Sequence, residues 1–126
     1  MFGLSGFKEV DPGYVAEIAA KGAHLIDVRT EAEVAQGVID GAIHIPLHLL
    51  PLRASDIPQD KPVVIYCRSG ARSAQACAFM ASQGFANMHN LAGGIMAWAR
   101  GEKSAGKRMW SMVMGGAAKF ILQLAT

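Results

Sequence analysis

The chain has 126 residues, 52% of them hydrophobic and 17% charged, and it carries a formal net charge of +2. This length suits one domain, and the composition excludes a disordered chain. The small net charge and the lack of a dense Lys/Arg run with interleaved aromatics exclude nucleic-acid binding as a role. The N-terminus shows neither a basic leader nor a long apolar core, so no secretory signal is predicted and a cytoplasmic location is expected.

The first half of the chain is predicted to alternate short strands and short helices. Asp11-Pro12 supplies an N-cap and an N1 proline for a helix, and Thr30 with Glu33 forms a capping box for another. The predicted elements are a strand over 7–10, a helix to about residue 21, a strand over 24–28, a helix to about residue 36, a strand over 42–45 and helical turns over 47–53.

The second half contains a strand of continuously apolar residues that opens at Pro62. A continuous rather than alternating pattern indicates a strand covered on both faces. The predicted elements are this strand over 63–66, a helix over 73–83, a strand over 87–91 and a helix over 95–100. Strands that alternate with helices at short spacing predict an α/β fold with a central, mainly parallel sheet and helices on both faces.

Composition shifts after Gly101, so residues 1–101 are assigned to the domain and residues 102–126 to an apolar tail predicted to be helical. On a helix the tail would carry a thin polar stripe beside a broad apolar face. The stripe consists of Ser111, Gly115, Lys119 and Gln123. One interpretation is a helix docked on the domain or on a second copy of the chain. The alternative is peripheral membrane or partner binding through residues 109–126, favoured by the basic residues that precede them.

Cys67 stands where the central strand ends and the next helix begins, and three small residues (69–71) follow close behind it. Small residues let successive backbone N–H groups converge on one point, and a helix N-terminus adds its positive dipole end. Arg68 and Arg72 add permanent positive charge. Such surroundings can lower a cysteine pKa from about 8.5 to roughly 3.5 to 7.5, because they stabilise the thiolate. The pattern therefore predicts Cys67 as a nucleophile.

The second cysteine, Cys77, lies too far along the predicted helix to form a disulfide with Cys67. Its alanine-rich surroundings favour a small buried hydrophobe, and a resolving thiol is the alternative. His44, His48 and His89 lack metal-type spacing to each other and to the cysteines. Neither a metal site nor a cofactor is predicted.

Four motifs together resemble the single-domain rhodaneses, a family of sulfurtransferases. They are Leu25-Ile26-Asp27-Val28-Arg29, Gly41-Ala42-Ile43-His44-Ile45-Pro46-Leu47, Cys67-Arg68-Ser69-Gly70-Ala71-Arg72-Ser73, and Leu91-Ala92-Gly93-Gly94-Ile95 with Trp98, all within about residues 7–101. The resemblance implies a three-layer α/β fold around a five-stranded sheet. It also implies a cysteine that alternates between thiolate and persulfide. A donor such as thiosulfate or a persulfide would leave a sulfur on Cys67, and a thiol, cyanide or a sulfur-carrier protein would remove it.

The length of the loop after the cysteine distinguishes sulfurtransferases from other members of the family that the chain resembles. Phosphatase and arsenate-reductase relatives place their arginine six residues after the cysteine, whereas Arg72 comes five after Cys67. One residue fewer gives a tighter pocket, which suits a single added sulfur atom. The alternative function is a module that holds or relays a persulfide for one protein partner, or that binds without turnover.

The predicted site thus has Cys67 as its catalytic residue. The predicted sulfur-binding loop comprises Arg68, Ser69, Gly70, Ala71, Arg72 and Ser73. Backbone N–H groups of residues 69–71 are expected to face the sulfur, and Ser73 to serve as a helix-entry residue. Arg72 is expected to line the pocket or to anchor the loop through a carboxylate, with Asp27 as one candidate. Asp27 and Arg29 follow a strand at the carboxyl edge of the sheet, and the resemblance suggests that they support the loop.

Overall fold

The computed structural model describes residues 6–104, 110–114 and 117–121, with side chains described for residues 6–101. The elements of these ranges are β1 (Lys8–Val10), α1 (Val15–Ala20), β2 (His24–Asp27), α2 (Glu31–Val34), β3 (Val38–Ile39), β4 (Ile43–His44), α3 (Leu50–Arg53), β5 (Val63–Tyr66), α4 (Ala71–Ser82), β6 (Met88–Leu91), α5 (Gly94–Ser104), β7 (Trp110–Met114) and β8 (Ala117–Ile121). Short 3-10 turns lie at Pro12–Tyr14, Leu47–Leu49 and Ala54–Asp56.

A parallel sheet of five strands in the order β1-β6-β5-β2-β4 forms the centre of the fold. All four residues of β5 are buried, as their continuous apolar pattern predicts. One apolar cluster covers one face of the sheet and includes Met80 of α4, and a second covers the other face and includes Ile18 of α1 and Trp98 of α5. The predicted five-stranded, three-layer α/β fold is therefore confirmed.

The predicted capping box is present at the start of α2. Thr30 Oγ1 accepts a hydrogen bond from the backbone N–H of Glu33, and a Glu33 carboxylate oxygen accepts one from the backbone N–H of Thr30. This pairing fixes the direction in which the short helix leaves β2. It also fixes the backbone position of Glu33, whose carboxylate reaches the loop after Cys67.

The helix predicted for the tail is wrong over residues 110–114 and 117–121, which form β7 and β8. These strands pair with each other and with β3 in an antiparallel sheet of order β3-β7-β8. The physical reason lies in the Gly115-Gly116 pair, because each glycine costs a helix about 1 kcal/mol and Gly-Gly is typical of a hairpin connection. The remainder of the prediction for the tail, over 105–109, 115–116 and 122–126, lies outside the described residues.

The polar stripe that motivated a membrane-surface helix does not exist where the tail is extended, because a strand has a period of two residues. Among the described residues, no helix combines the length and the apolar character required to cross a membrane. The short strand β3 (Val38–Ile39), which the sequence pattern did not predict, is the element of the domain that pairs with this hairpin.

Candidate active site

Cys67 is the first residue after β5, and α4 begins four residues later. The turn between them requires glycine at Gly70, whose φ of 109° lies in the left-handed region. The start of α5 packs directly against this turn: the Ile95 N–H donates to the Cys67 carbonyl at 2.9 Å. A Cβ on Gly94 would collide with the carbonyl group of Arg68. The Gly93-Gly94 pair at the start of α5 thus allows the close approach that closes one side of the loop.

The sulfur of Cys67 is surrounded by hydrogen-bond donors. Its Sγ atom lies 3.1 Å from the Gly70 N, 3.4 Å from the Ser73 N and 3.3 Å from the Ser73 Oγ. The residue is only 1% exposed. Burial raises the pKa of the thiol, but donors from Ser73, Gly70 and Ser69 outweigh burial and hold the pKa of Cys67 below its ordinary value. The thiolate is the nucleophilic form of cysteine, so this site favours the reactive species.

Cys77 differs from Cys67 in every respect that matters for reactivity. Both cysteines are free, and Cys77 lies on α4 within the apolar cluster that α4 shares with the sheet. Its side chain is fully buried, and burial raises the pKa of the Cys77 thiol to about 12. A thiol with so high a pKa is inert at neutral pH, as expected for a structural cysteine.

Arg72 forms a two-pronged ion pair with Glu33 of α2. Its Nη1 and Nη2 atoms lie 2.7 and 2.8 Å from the two carboxylate oxygens. Arg72 thus pairs with a carboxylate and also borders a cleft beside the loop, but the carboxylate is that of Glu33, and the candidate Asp27 is wrong. The hydrogen bonds from Arg72 lower the pKa of Glu33 to about 2 against the opposing effect of burial, and Thr30 adds to the lowering.

Asp27 instead pairs with Arg29, two residues along the chain. Arg29 donates from Nε and Nη2 to the carboxylate at 3.0 and 2.7 Å, and both side chains are almost completely buried. Burial lowers the pKa of Arg29, but the hydrogen bond to Asp27 and its negative charge raise this pKa by more than burial lowers it. The pKa of Arg29 therefore lies above its ordinary value. Arg29 also donates to the Gly37 carbonyl at 2.7 Å, just past α2. The pair therefore holds in place the helix that carries Glu33.

Arg68 and Ser69 form the exposed rim of the loop. Arg68 Nε lies 3.2 Å from the Met96 Sδ on α5. Among the residues whose side chains are described, Arg68 forms no ion pair, so its charge is available to an anionic ligand. Two clefts flank the loop: one of about 740 Å³ bordered by Arg72 and His48, and one of about 360 Å³ bordered by Arg68 and Arg100.

Two contributors to the site, Asn90 and Tyr66, escaped the sequence analysis, and a third, Ser73, was placed in the loop but expected only to begin the helix. Ser73 lies against the sulfur with both its N–H and its hydroxyl. Asn90 of β6 is 3% exposed and contacts Ser73 and Gly70. Tyr66 is buried beneath Arg29, with 5.7 Å between the guanidinium carbon and the ring centre, and its hydroxyl accepts from the Ile39 N–H. A polar residue inside an apolar strand is the signal that could have identified Asn90.

A family model described as "Rhodanese-like domain" matches residues 11–101. The chain belongs to the rhodanese-like family. A sulfurtransferase from Allochromatium vinosum is 60% identical over 76 residues, which is 60% of this chain and 71% of that protein. The thiosulfate sulfurtransferase GlpE of Ectopseudomonas mendocina is 33% identical over 75% of this chain and 87% of its own length. Human single-domain sulfurtransferase TSTD1 superposes with a TM-score of 0.65 at 28% identity, over 73% of this chain and 95% of that one.

The predicted family and enzyme class are thereby confirmed: this rhodanese is a sulfurtransferase. The match covers the parallel sheet from α1 onwards and ends within α5, so β7 and β8 lie beyond it. The loop described above, from Cys67 to Ser73, falls inside the matched region.

The ion pair that anchors the loop of this rhodanese should be measurable in its stability. We expect Glu33→Gln to lower the free energy of unfolding at neutral pH by about 1 kcal/mol more than Glu31→Gln, since the Arg72 pair is partly exposed. Glutamine preserves the capping box, and Glu31 lies in the same helical turn, so helix effects cancel.

The difference in free energy of unfolding between Glu33→Gln and Glu31→Gln should depend on pH. The pKa of Glu33 falls from 4.5 to about 2 on folding, so its contribution is fully present above pH 4.5 and is lost as the pH drops towards 2. Urea unfolding of the two variants across this range should therefore show the gap between them narrowing. If Glu33→Gln and Glu31→Gln lower the free energy of unfolding equally at neutral pH, the ion pair between Glu33 and Arg72 does not contribute to stability.

Proposed function

We propose that the chain transfers a sulfane sulfur through a persulfide on Cys67. In the first half-reaction the Cys67 thiolate attacks the outer sulfur of thiosulfate or of a donor persulfide. A new S–S bond forms at Cys67 while the donor's own S–S bond breaks, and sulfite or a thiolate leaves with the electron pair. In the second half-reaction an acceptor thiolate or cyanide attacks the outer sulfur, and the Cys67 thiolate is regenerated.

The observation that carries this proposal is the ring of donors around the Cys67 Sγ atom. Both the thiolate and the persulfide are anions, and fixed N–H groups at a helix N-terminus stabilise such charge without reorganisation. The N–H groups of Gly70 and Ser73 already point at the sulfur in the free protein. Arg68, on the exposed rim, can attract an anionic donor.

The position of Arg72 supports sulfur chemistry over phosphoryl chemistry. A phosphate ester would need a guanidinium free to form paired hydrogen bonds with its oxygens. Both terminal nitrogens of Arg72 are instead engaged by Glu33. The similarity to the thiosulfate sulfurtransferase GlpE supports thiosulfate as one donor. The two flanking clefts are bordered by Arg72 and by Arg68, so each lies beside the loop that carries Cys67.

A paired assay tests the proposal. Thiocyanate production from thiosulfate and cyanide, and persulfide transfer from glutathione persulfide to a thiol, are measured beside hydrolysis of para-nitrophenyl phosphate. We expect sulfur transfer from at least one donor and no phosphatase activity. Hydrolysis of the phosphate ester with no sulfur transfer from either donor would overturn the proposal.

Arg68 offers a sharper prediction within the same assay. Arg68→Ala should raise the KM for thiosulfate about tenfold with little change in kcat, because the exposed charge contributes to donor binding and not to the transfer step. The matched control is Arg53→Ala, which removes another exposed arginine. Arg53 lies at the end of α3 and pairs with Asp56 in the turn that follows. An equal effect of both substitutions on KM would refute a local role for Arg68.

A further inference from the structure

The hydroxyl of Ser73 lies between two groups that both need its single proton. Ser73 Oγ is 2.5 Å from the Asn90 Oδ1 and 3.3 Å from the Cys67 Sγ. Ser73 is fully buried and Asn90 nearly so. A hydroxyl carries one proton and can donate it to one acceptor at a time. Asn90 and the Cys67 thiolate therefore compete for the same hydrogen bond.

The orientation of the Asn90 amide follows from its other partners. Its Nδ2 donates to the two carboxylate oxygens of Glu9 at 3.1 and 3.2 Å, and to the Gly70 carbonyl at 3.3 Å. A flipped amide would set an oxygen against these three acceptors, so Oδ1 must face Ser73. Because an amide oxygen has no proton, the short contact requires Ser73 to donate to Asn90.

This arrangement has opposite consequences for the two forms of Cys67. While Ser73 donates its proton to Asn90, its oxygen can offer the sulfur only a lone pair, which suits a thiol that donates its S–H. Once Cys67 is ionised or carries a persulfide, Ser73 can help the anion only by turning its proton away from Asn90. That rotation leaves a buried amide oxygen without its donor, which costs free energy. The N–H groups of Gly70 and Ser73 serve the sulfur in both states.

We propose that Asn90 is a positioning residue that competes with the Cys67 anion for the Ser73 proton, and so limits how strongly the thiolate and the persulfide are stabilised. A thiolate of lower pKa is a weaker nucleophile and a better leaving group. Asn90 would thus balance the attacking power of Cys67 against the stability of its persulfide. This inference rests on the proposed function, since it concerns the same nucleophile.

Other charges around Cys67 must be held constant in any test. They are Glu9 on β1, Asp27 and Arg29 at and after the end of β2, Glu33 on α2, and Arg68 and Arg72 on the loop and the start of α4. None of these residues is substituted in the variants below. Cys77, whose pKa is about 12, does not titrate in the range of interest and is replaced by alanine to leave one thiol.

The test is a double-mutant cycle on the pKa of Cys67, read from the pH dependence of alkylation by iodoacetamide. In the Cys77→Ala background, Asn90→Leu should lower this pKa by about 0.5 to 1 unit, because the Ser73 proton becomes free for the thiolate. In the Ser73→Ala background the same substitution should leave the pKa unchanged. An unchanged or raised pKa in Asn90→Leu, or an equal shift without Ser73, would overturn the proposal.

A second measurement does not depend on any substitution at Asn90. The infrared S–H stretching band of Cys67, recorded in the Cys77→Ala background at a pH where the thiol dominates, should move to higher frequency in Ser73→Ala as the S–H loses its acceptor. An unmoved band would show that Ser73 donates to the sulfur, against the proposal. Neither measurement uses a sulfur donor, so a failed proton competition is distinguishable from a failed sulfurtransferase.

Discussion

Replacing Cys67 by serine will reduce sulfur transfer by a factor on the order of 10³ or more. A serine hydroxyl offers no anion at neutral pH and no S–S bond, so neither half-reaction can begin. Rates of thiocyanate formation from thiosulfate and cyanide, measured with folding checked by circular dichroism, give the comparison.

Cys77→Ala is the matched control, because it removes the other thiol of the chain ten residues along. The Cys77 thiol is fully buried in an apolar cluster and its pKa of about 12 keeps it neutral. We expect transfer in this variant to stay within about twofold of the unsubstituted chain. A comparable loss in both variants would mean that the two thiols act together, which the assignment of Cys67 as sole nucleophile forbids.

Replacing Asp27 by asparagine will lower the free energy of unfolding by about 3 to 5 kcal/mol, because it strands the Arg29 charge in the interior. The Arg29 side chain is 6% exposed and that of Asp27 is fully buried. Arg29 also binds the backbone after α2, so the loss should spread to Glu33 and to the loop it anchors. Urea unfolding at neutral pH measures the effect.

Two controls test whether the destabilisation by Asp27→Asn comes from leaving the buried Arg29 charge unpaired or only from losing one contact. Asp56→Asn breaks the exposed pair with Arg53, and it should cost less than about 1 kcal/mol. The double variant Asp27→Leu with Arg29→Met removes both buried charges, and it should recover part of the loss of Asp27→Asn. A cost below about 1 kcal/mol for Asp27→Asn itself would show that the pair does not support the fold.

The parts of the fold predicted from sequence are those set by local patterns. The strand at residues 63–66 is continuously apolar, and the Thr30 capping box depends on residues three apart. The surroundings of Cys67 were also predictable, because a cysteine between a buried strand and a helix start is placed near converging backbone N–H groups. The tail was mispredicted because its strands depend on pairing with the distant β3, while helical periodicity was judged within the tail alone.

The contacts that complete the site could not be predicted for a similar reason. Arg72 and Glu33 are 39 residues apart, and Glu9 and Asn90 are 81 apart. The sequence analysis left open whether Arg72 lines the pocket or anchors the loop through a carboxylate, and it named only Asp27 as a candidate partner. In the structure the Asp27 carboxylate pairs with Arg29, and Arg72 pairs with Glu33.

The most direct test of the central claim is mass spectrometry of the chain after incubation with thiosulfate or glutathione persulfide. We expect an adduct of about 32 Da, one sulfur atom, on the peptide that contains Cys67. Cyanide should remove the adduct, Cys77→Ala should retain it, and Cys67→Ser should lack it. No adduct with either donor, or an adduct that persists in Cys67→Ser, would contradict a persulfide on Cys67.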